Sequence, residues 1–133
     1  MGLELYMVGV IVEDMARALE FYRRLGVDIP AGSESRPHVE VKMSGMTFFL
    51  TTKTLNARWD PSRTDITGSG YRMILEFYLH TREALDAKYA EMLAYGYESH
   101  HAPFVTPFNM YFALINDPDG NTILLSAETG VSQ

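Results

Sequence analysis

Between residues 71 and 79, three side chains able to bind charge or move a proton, Arg72, Glu76 and Tyr78, fall at even spacing among Met73, Leu75, Phe77 and Leu79. Successive side chains of an extended chain point to opposite faces, so Arg72, Ile74, Glu76 and Tyr78 share one side and the apolar set takes the other. If the apolar side packs on a helix, the polar side looks into a groove. A carboxylate there would hold a cationic or hydroxyl-bearing ligand, and the guanidinium of Arg72 an anionic group. Desolvation would raise the pKa of Glu76 toward neutrality, as a general base requires. The plainer alternative is that Arg72 and Glu76, four residues apart on one strand face, pair with each other and line a wet groove.

The other groups with chemical potential are scattered. His38 and Glu40, two residues apart, would face the same way and form half of a metal site, or else stand on a solvated edge strand. His100 and His101 are adjacent, so in a strand they face opposite ways and cannot share one ion. His80 falls where a strand gives way to a helix, a position for capping or for water. The absence of cysteine removes thiolate ligands, thiol nucleophiles and disulfides. No serine has a Gly-x-Ser-x-Gly setting, and Gly68-Ser69-Gly70 lacks the lysine and flanking elements of a phosphate-binding loop. A net charge of −6 argues against a nucleic-acid surface and leaves cationic or neutral small molecules.

Two rounds of the same elements would position these groups. At 133 residues the chain has the size of one domain. Residues 5–12 alternate as a strand, with Val8, Val10 and Val12 on one face and Met7, Gly9 and Ile11 on the other. Asp14 then caps a helix whose apolar positions are Met15, Ala18, Leu19, Tyr22 and Leu25, and Gly26 stops it. Strand-prone stretches follow at 27–29, 38–43 and 46–51. The pattern repeats with a strand at 71–79, a helix at 82–95 ending at Gly96, and strands near 97–101, 109–116 and 121–126. The expected organisation is a first module over about 1–53, a connector over 54–69 and a second module over about 70–133. Neither module closes a core alone, so the two would pair. The apolar runs are too short to span a membrane and the start is not that of a signal peptide, which points to the cytoplasm.

The pattern Val10-x-Val12-x-Asp14-Met15-x-x-Ala18-x-x-Phe21-Tyr22-x-x-Leu25-Gly26, followed far downstream by Asp117-Pro118-Asp119-Gly120-Asn121-x-Ile123-x-Leu125, resembles the vicinal oxygen chelate superfamily. That superfamily contains glyoxalases, extradiol dioxygenases and bleomycin-resistance-type binding proteins, and the resemblance runs over nearly the whole chain. It implies an α+β fold of two βαβββ modules forming a curved mixed sheet around a cleft, and a homodimer. In the metal-dependent members, His, Gln or Glu ligands come from the first and last strands of each module. The matching positions here are Met7, seven residues before Asp14, then Phe49, Ile74 and Leu124. None of these side chains holds a hard divalent cation, so no metal and no other cofactor is expected.

The expected cleft is therefore mostly apolar, with Met7, Gly9, Phe49, Ile74 and Leu124 joined by Arg72, Glu76, Tyr78, Thr47, Thr51, Thr122 and Ser126, a composition suited to binding a small molecule. The resemblance places Trp59 in the connector, and Phe108 and Tyr111 in the aromatic stretch 104–111, beside the cleft, where rings could stack on a planar ligand. Trp59 could instead pin the connector or seal an interface, and Phe104 and Phe108 could be ordinary core. Three function classes remain. The leading one is a metal-independent protein that binds a small organic molecule, such as an antibiotic, without transforming it. The others are a metal-dependent lyase, isomerase or dioxygenase with displaced ligands at His38, Glu40 and Glu76, and a dimerisation module whose cleft is filled by its own side chains.

Overall fold

The structure is a computed structural model and describes residues 3, 5–62 and 73–132. Its contacts divide the chain into two units, Met1–Gly68 and Ser69–Gln133. Both combine helix with a mixed sheet, as expected for an α+β chain.

The first unit runs β1 (Met7–Val12), α1 (Met15–Leu25), β2 (His38–Met43), β3 (Met46–Thr52) and α2 (Lys53–Trp59). Helix α1 starts where Asp14 accepts a hydrogen bond from the Arg17 backbone N–H at 3.1 Å. It ends at Gly26, whose φ of 123° excludes most side chains. Its apolar face of Met15, Ala18, Leu19, Phe21, Tyr22 and Leu25 is buried, and burying a side chain such as Leu19 stabilises the unit by about 2 kcal/mol. The sheet order is β1-β3-β2, with β1 parallel and β2 antiparallel to β3. Register places Val8, Val10, Val12, Phe48, Leu50, Val39 and Val41 on the face turned to α1, where the Tyr22 and Phe48 rings meet at 5.4 Å.

One expectation for this unit needs correction. Residues 27–29 form no strand. Val27 and Ile29 are buried, but their N–H groups bond locally to the Tyr22 and Val27 carbonyls, and Pro30 has no N–H to offer a sheet. The loop is held instead by Arg23, which bonds the Pro30 carbonyl at 2.8 Å and the Glu34 carboxylate. The first module thus has two strands after its helix, not three. Within the connector, residues 53–59 form α2, begun by Thr52 accepting from the Leu55 N–H at 3.2 Å.

The second unit runs β4 (Leu75–Tyr78), α3 (Arg82–Ala94), β5 (Ser99–Val105), β6 (Met110–Asn116) and β7 (Thr122–Glu128), the full strand, helix, three-strand series. Thr81 caps α3 through the Ala84 N–H at 3.1 Å. The sheet order is β4-β7-β6-β5, with β4 parallel to β7 and the other pairs antiparallel. Strand β4 is shorter than the expected 71–79, beginning at Leu75; residues 71 and 72 lie outside the described residues. The β6–β7 turn is organised by Asp117, whose Oδ1 accepts from the N–H groups of Asp119 (2.9 Å) and Asn121 (2.8 Å) while Oδ2 accepts from the Asn121 side chain (2.8 Å). Among the described residues no helix is long and apolar enough to cross a membrane.

Candidate functional site

Strand pairing in the second unit sorts its side chains between two faces. Leu75, Phe77, Ile123, Leu125, Ala127, Tyr111, Ala113 and Ile115 share the face turned to α3. Three contacts tie that face to the helix: Tyr111 donates to Asp86 at 2.6 Å, the Arg82 guanidinium sits 4.3 Å from the Tyr111 ring centre, and Tyr89 meets Ser99 at 2.6 Å. The Asp86 hydrogen bond, followed by burial, holds the Tyr111 phenol above its ordinary pKa. Glu76, Tyr78, Leu124, Ser126, Phe112 and Leu114 share the opposite face, as the alternation in 71–79 predicts for Glu76 and Tyr78.

On that opposite face the polar groups are paired. Ser126, fully buried, donates to Glu76 Oε2 at 2.8 Å, and Tyr78 donates to Glu128 Oε2 at 2.9 Å. The second bond holds the Tyr78 phenol above its ordinary pKa, with desolvation and the Glu128 charge adding to the effect. His80, one of two non-glycine residues described with positive φ (70°), lays its ring 4.3 Å from that of Tyr78. Beside Ser126, Phe112 meets Phe104 edge-on at 6.1 Å and Phe108 at 5.7 Å, and His101 packs on Phe104 at 4.3 Å. The face is apolar along buried Leu124 and half-buried Leu114 and Phe112, and is edged by carboxylates and hydroxyls.

The first unit has a corresponding face away from α1. Its register rows are Met7–Thr47–Lys42, Gly9–Phe49–Glu40 and Ile11–Thr51–His38. His38 Nε2 and Glu40 Oε2 are 3.0 Å apart, so these two do face the same way, and the His38 ring lies 5.2 Å from that of Phe49.

Residues 5–125 match the sequence pattern of the Glyoxalase/Bleomycin resistance protein/Dioxygenase superfamily. The chain belongs to this superfamily. Among solved structures, it is similar to a glyoxalase/bleomycin resistance protein/dioxygenase family enzyme from Burkholderia phytofirmans PsJN, with 22% identity over 95% of this chain and 99% of that one and a TM-score of 0.75. A glyoxalase/bleomycin resistance protein from Albidiferax ferrireducens T118 shows 25% identity, coverage of 93% and 98%, and a TM-score of 0.68. A lactoylglutathione lyase from Agrobacterium tumefaciens shows 19% identity, coverage of 93% and 92%, and a TM-score of 0.67. No curated protein matches the chain.

A glyoxalase-superfamily metal would need donors that these four positions do not supply. Met7 and Phe49 lie on the face of the first sheet away from α1; Ile74 precedes β4; Leu124 is paired with Glu76. A thioether, a phenyl ring and two aliphatic chains do not fit a divalent cation. Among the described residues, no three of His, Asp and Glu gather into an alternative site.

The remaining candidates divide. Glu76, Tyr78 and Leu124 are brought together, and Phe108, 62% exposed, reaches Phe112 at the margin of the same face. Tyr111 does not join them: strand parity turns it toward α3, so it is removed from the surface on which the aromatic stretch would place it. Trp59 ends α2 and is 67% exposed. Arg72 lies outside the described residues. Phe112, Leu114 and Glu128 were not anticipated. Phe112 and Leu114 could have been found by carrying the parity argument through 109–116, whereas the Tyr78–Glu128 bond spans 50 residues and leaves no local signal.

Proposed function

We propose that this member of the glyoxalase superfamily binds a small organic molecule without a metal ion, an antibiotic being one candidate, and acts as a cytoplasmic homodimer that does not transform its ligand. The observation that carries this reading is the non-ligating character of Met7, Phe49, Ile74 and Leu124, the positions that the resemblance matches to the family's metal ligands; in the second unit, Leu124 belongs to a face whose polar groups are hydrogen-bonded to one another. Such a surface provides apolar area and a few oriented acceptors, the usual means of holding an organic molecule. On it Glu76 offers its second carboxylate oxygen to a cationic or hydroxyl-bearing group, with Leu124 and Ile74 below and Tyr78 and Phe108 at the edges. On the first unit, Met7, Phe49 and Trp59 are the proposed contacts, and Arg72 is a contact proposed from the sequence alone.

Elemental analysis of the purified, undialysed protein, together with a thermal-shift screen of divalent metals and planar antibiotics, tests this. Substoichiometric metal with stabilisation by an organic compound, weakened in Glu76→Gln, is the expected result. Stoichiometric metal would overturn the reading in favour of a metal-dependent enzyme with displaced ligands, and neither metal nor any shift would favour a face filled by its own side chains. Light scattering during gel filtration reads the oligomeric state.

A further inference from the structure

Gly9 and Phe49 stand opposite each other across β1 and β3, on the face away from α1. A Cβ at position 9 would lie 2.2 Å from Cε2 and Cζ of Phe49 and 2.4 Å from Cδ2, separations that no real Cβ tolerates. The phenyl ring therefore crosses over the β1 backbone, in space that any side chain at position 9 would claim. It is only half-buried there, unlike Phe48 on the other face, which is 5% exposed and belongs to the core. Its neighbours are polar: Glu40 is its register partner on β2, the His38 ring is 5.2 Å away at 36°, and His38 and Glu40 are joined at 3.0 Å.

From this geometry we infer that Gly9 and Phe49 have turned the first unit's half of the family metal site into an aromatic floor for a planar ring, whose edge N–H or O–H groups are bound by His38 and Glu40. The inference rests on the reading of this chain as a metal-independent binder and names the ligand class. The ring fills the space that glycine leaves open, and a planar ligand gains by stacking on it. The polar edge is selective for donors. An ionised Glu40 only accepts, and with Nε2–H directed at Glu40 the other imidazole nitrogen, Nδ1, accepts as well. Lys42, also on this face, sits one register row beyond Glu40, beside Thr47, and so bounds the donor-selective edge with a charge that accepts nothing. Ligands that are planar but carry only acceptors would stack and leave the edge unsatisfied.

Indole and quinoline serve as probes, because both are planar and bicyclic but only indole has an N–H at neutral pH. Titrations of the full chain followed by backbone-amide NMR should show indole shifting Gly9, Glu40 and Phe49, with quinoline shifting Gly9 and Phe49 at about threefold to tenfold weaker affinity. Glu40→Ala should erase the advantage of indole and leave quinoline unchanged. Phe49→Leu should weaken both by about threefold to tenfold. Glu40 is exposed, so Glu40→Ala keeps the test valid even where Phe49→Leu unfolds the chain. Shifts confined to the second unit, equal affinities of the two probes, or titrations unaltered by Glu40→Ala would each overturn the inference, as would the absence of any shift. The first of these leaves metal-independent binding standing on the Glu76 face, and the thermal-shift screen decides that reading separately.

Discussion

Replacing Asp117 by alanine should lower the melting temperature by about 10 °C and disturb β7 more than any other strand. Asp117 is 4% exposed and its carboxylate accepts from two backbone N–H groups and from the Asn121 amide. Hydrogen bonds to an ionised acceptor contribute about 1.5–3 kcal/mol each. The three are not additive, because one buried carboxylate bears the desolvation for all of them and the freed turn N–H groups can reach water. A net loss of about 3 kcal/mol follows. For 133 residues, between the sizes at which 1 kcal/mol moves Tm by about 4–8 °C and by about 2–4 °C, this corresponds to about 10 °C. Circular-dichroism melts measure the total, and amide exchange at Asn121, Ile123 and Leu125 shows whether the loss enters through the turn. Asp117→Asn keeps an oxygen for the turn N–H groups, and the Asn121 amide can turn over to accept from the new Nδ2–H, so this variant should lose less than Asp117→Ala. A fall of less than about 3 °C for Asp117→Ala, or an Asp117→Asn variant no more stable than Asp117→Ala, would refute the argument that this carboxylate builds the turn.

Three further outcomes are expected. Arg23 holds the pKa of Glu34 below its ordinary 4.5, with backbone N–H bonds assisting; the pair therefore stabilises the fold above that value and ceases to do so as pH falls through the lowered one. In urea melts, Arg23→Ala should thus cost more at neutral pH than at a pH below the lowered value, with the loss of the Pro30 contact remaining at both. Asp86→Asn should return the raised Tyr111 pKa toward its ordinary 10.0, read as earlier phenolate absorbance. The Asp86 contact stabilises the neutral phenol, so its contribution is full below the ordinary value and lost as pH rises through the raised one. Ser126→Ala should destabilise by about 1 kcal/mol in chemical denaturation, since a buried hydroxyl bonded to Glu76 is lost.

What was legible in the sequence was what is encoded locally. Asp14, the apolar spacing from Met15 to Leu25 and Gly26 define α1 almost to the residue, because cap, face and stop lie within one short segment. Period-two alternation sorted Glu76 and Tyr78 from Leu75 and Phe77 for the same reason. The false strand at 27–29 arose because β-branched residues report burial as well as pairing: Val27 and Ile29 are buried without a ladder partner. Helix α2 has seven residues and little apolar periodicity, so only the Thr52 cap announced it. The aromatic character of Tyr111 suggests a ligand contact, but its parity is opposite to that of Phe112 and turns it toward α3. The links that edge the candidate site, Ser126 to Glu76 and Tyr78 to Glu128, each join residues 50 apart. Only folding brings them together.

Both units place a parallel strand pair at the same point of the repeat, and comparing the pairs shows how the two halves have diverged. Met7 and Ile74 each stand seven residues before their helix caps, Asp14 and Thr81. Two residues on, the register partners are Gly9 with Phe49 in one unit and Glu76 with Leu124 in the other. One pair combines no side chain with a ring, the other a carboxylate with an aliphatic chain. Two residues further along the last strand of each unit, Thr51 and Ser126 are both buried hydroxyls, but Thr51 turns to the Pro37 carbonyl while Ser126 holds Glu76. Under the proposed reading the first unit offers a ring at this point of the repeat and the second a carboxylate, so the two halves no longer present matching groups.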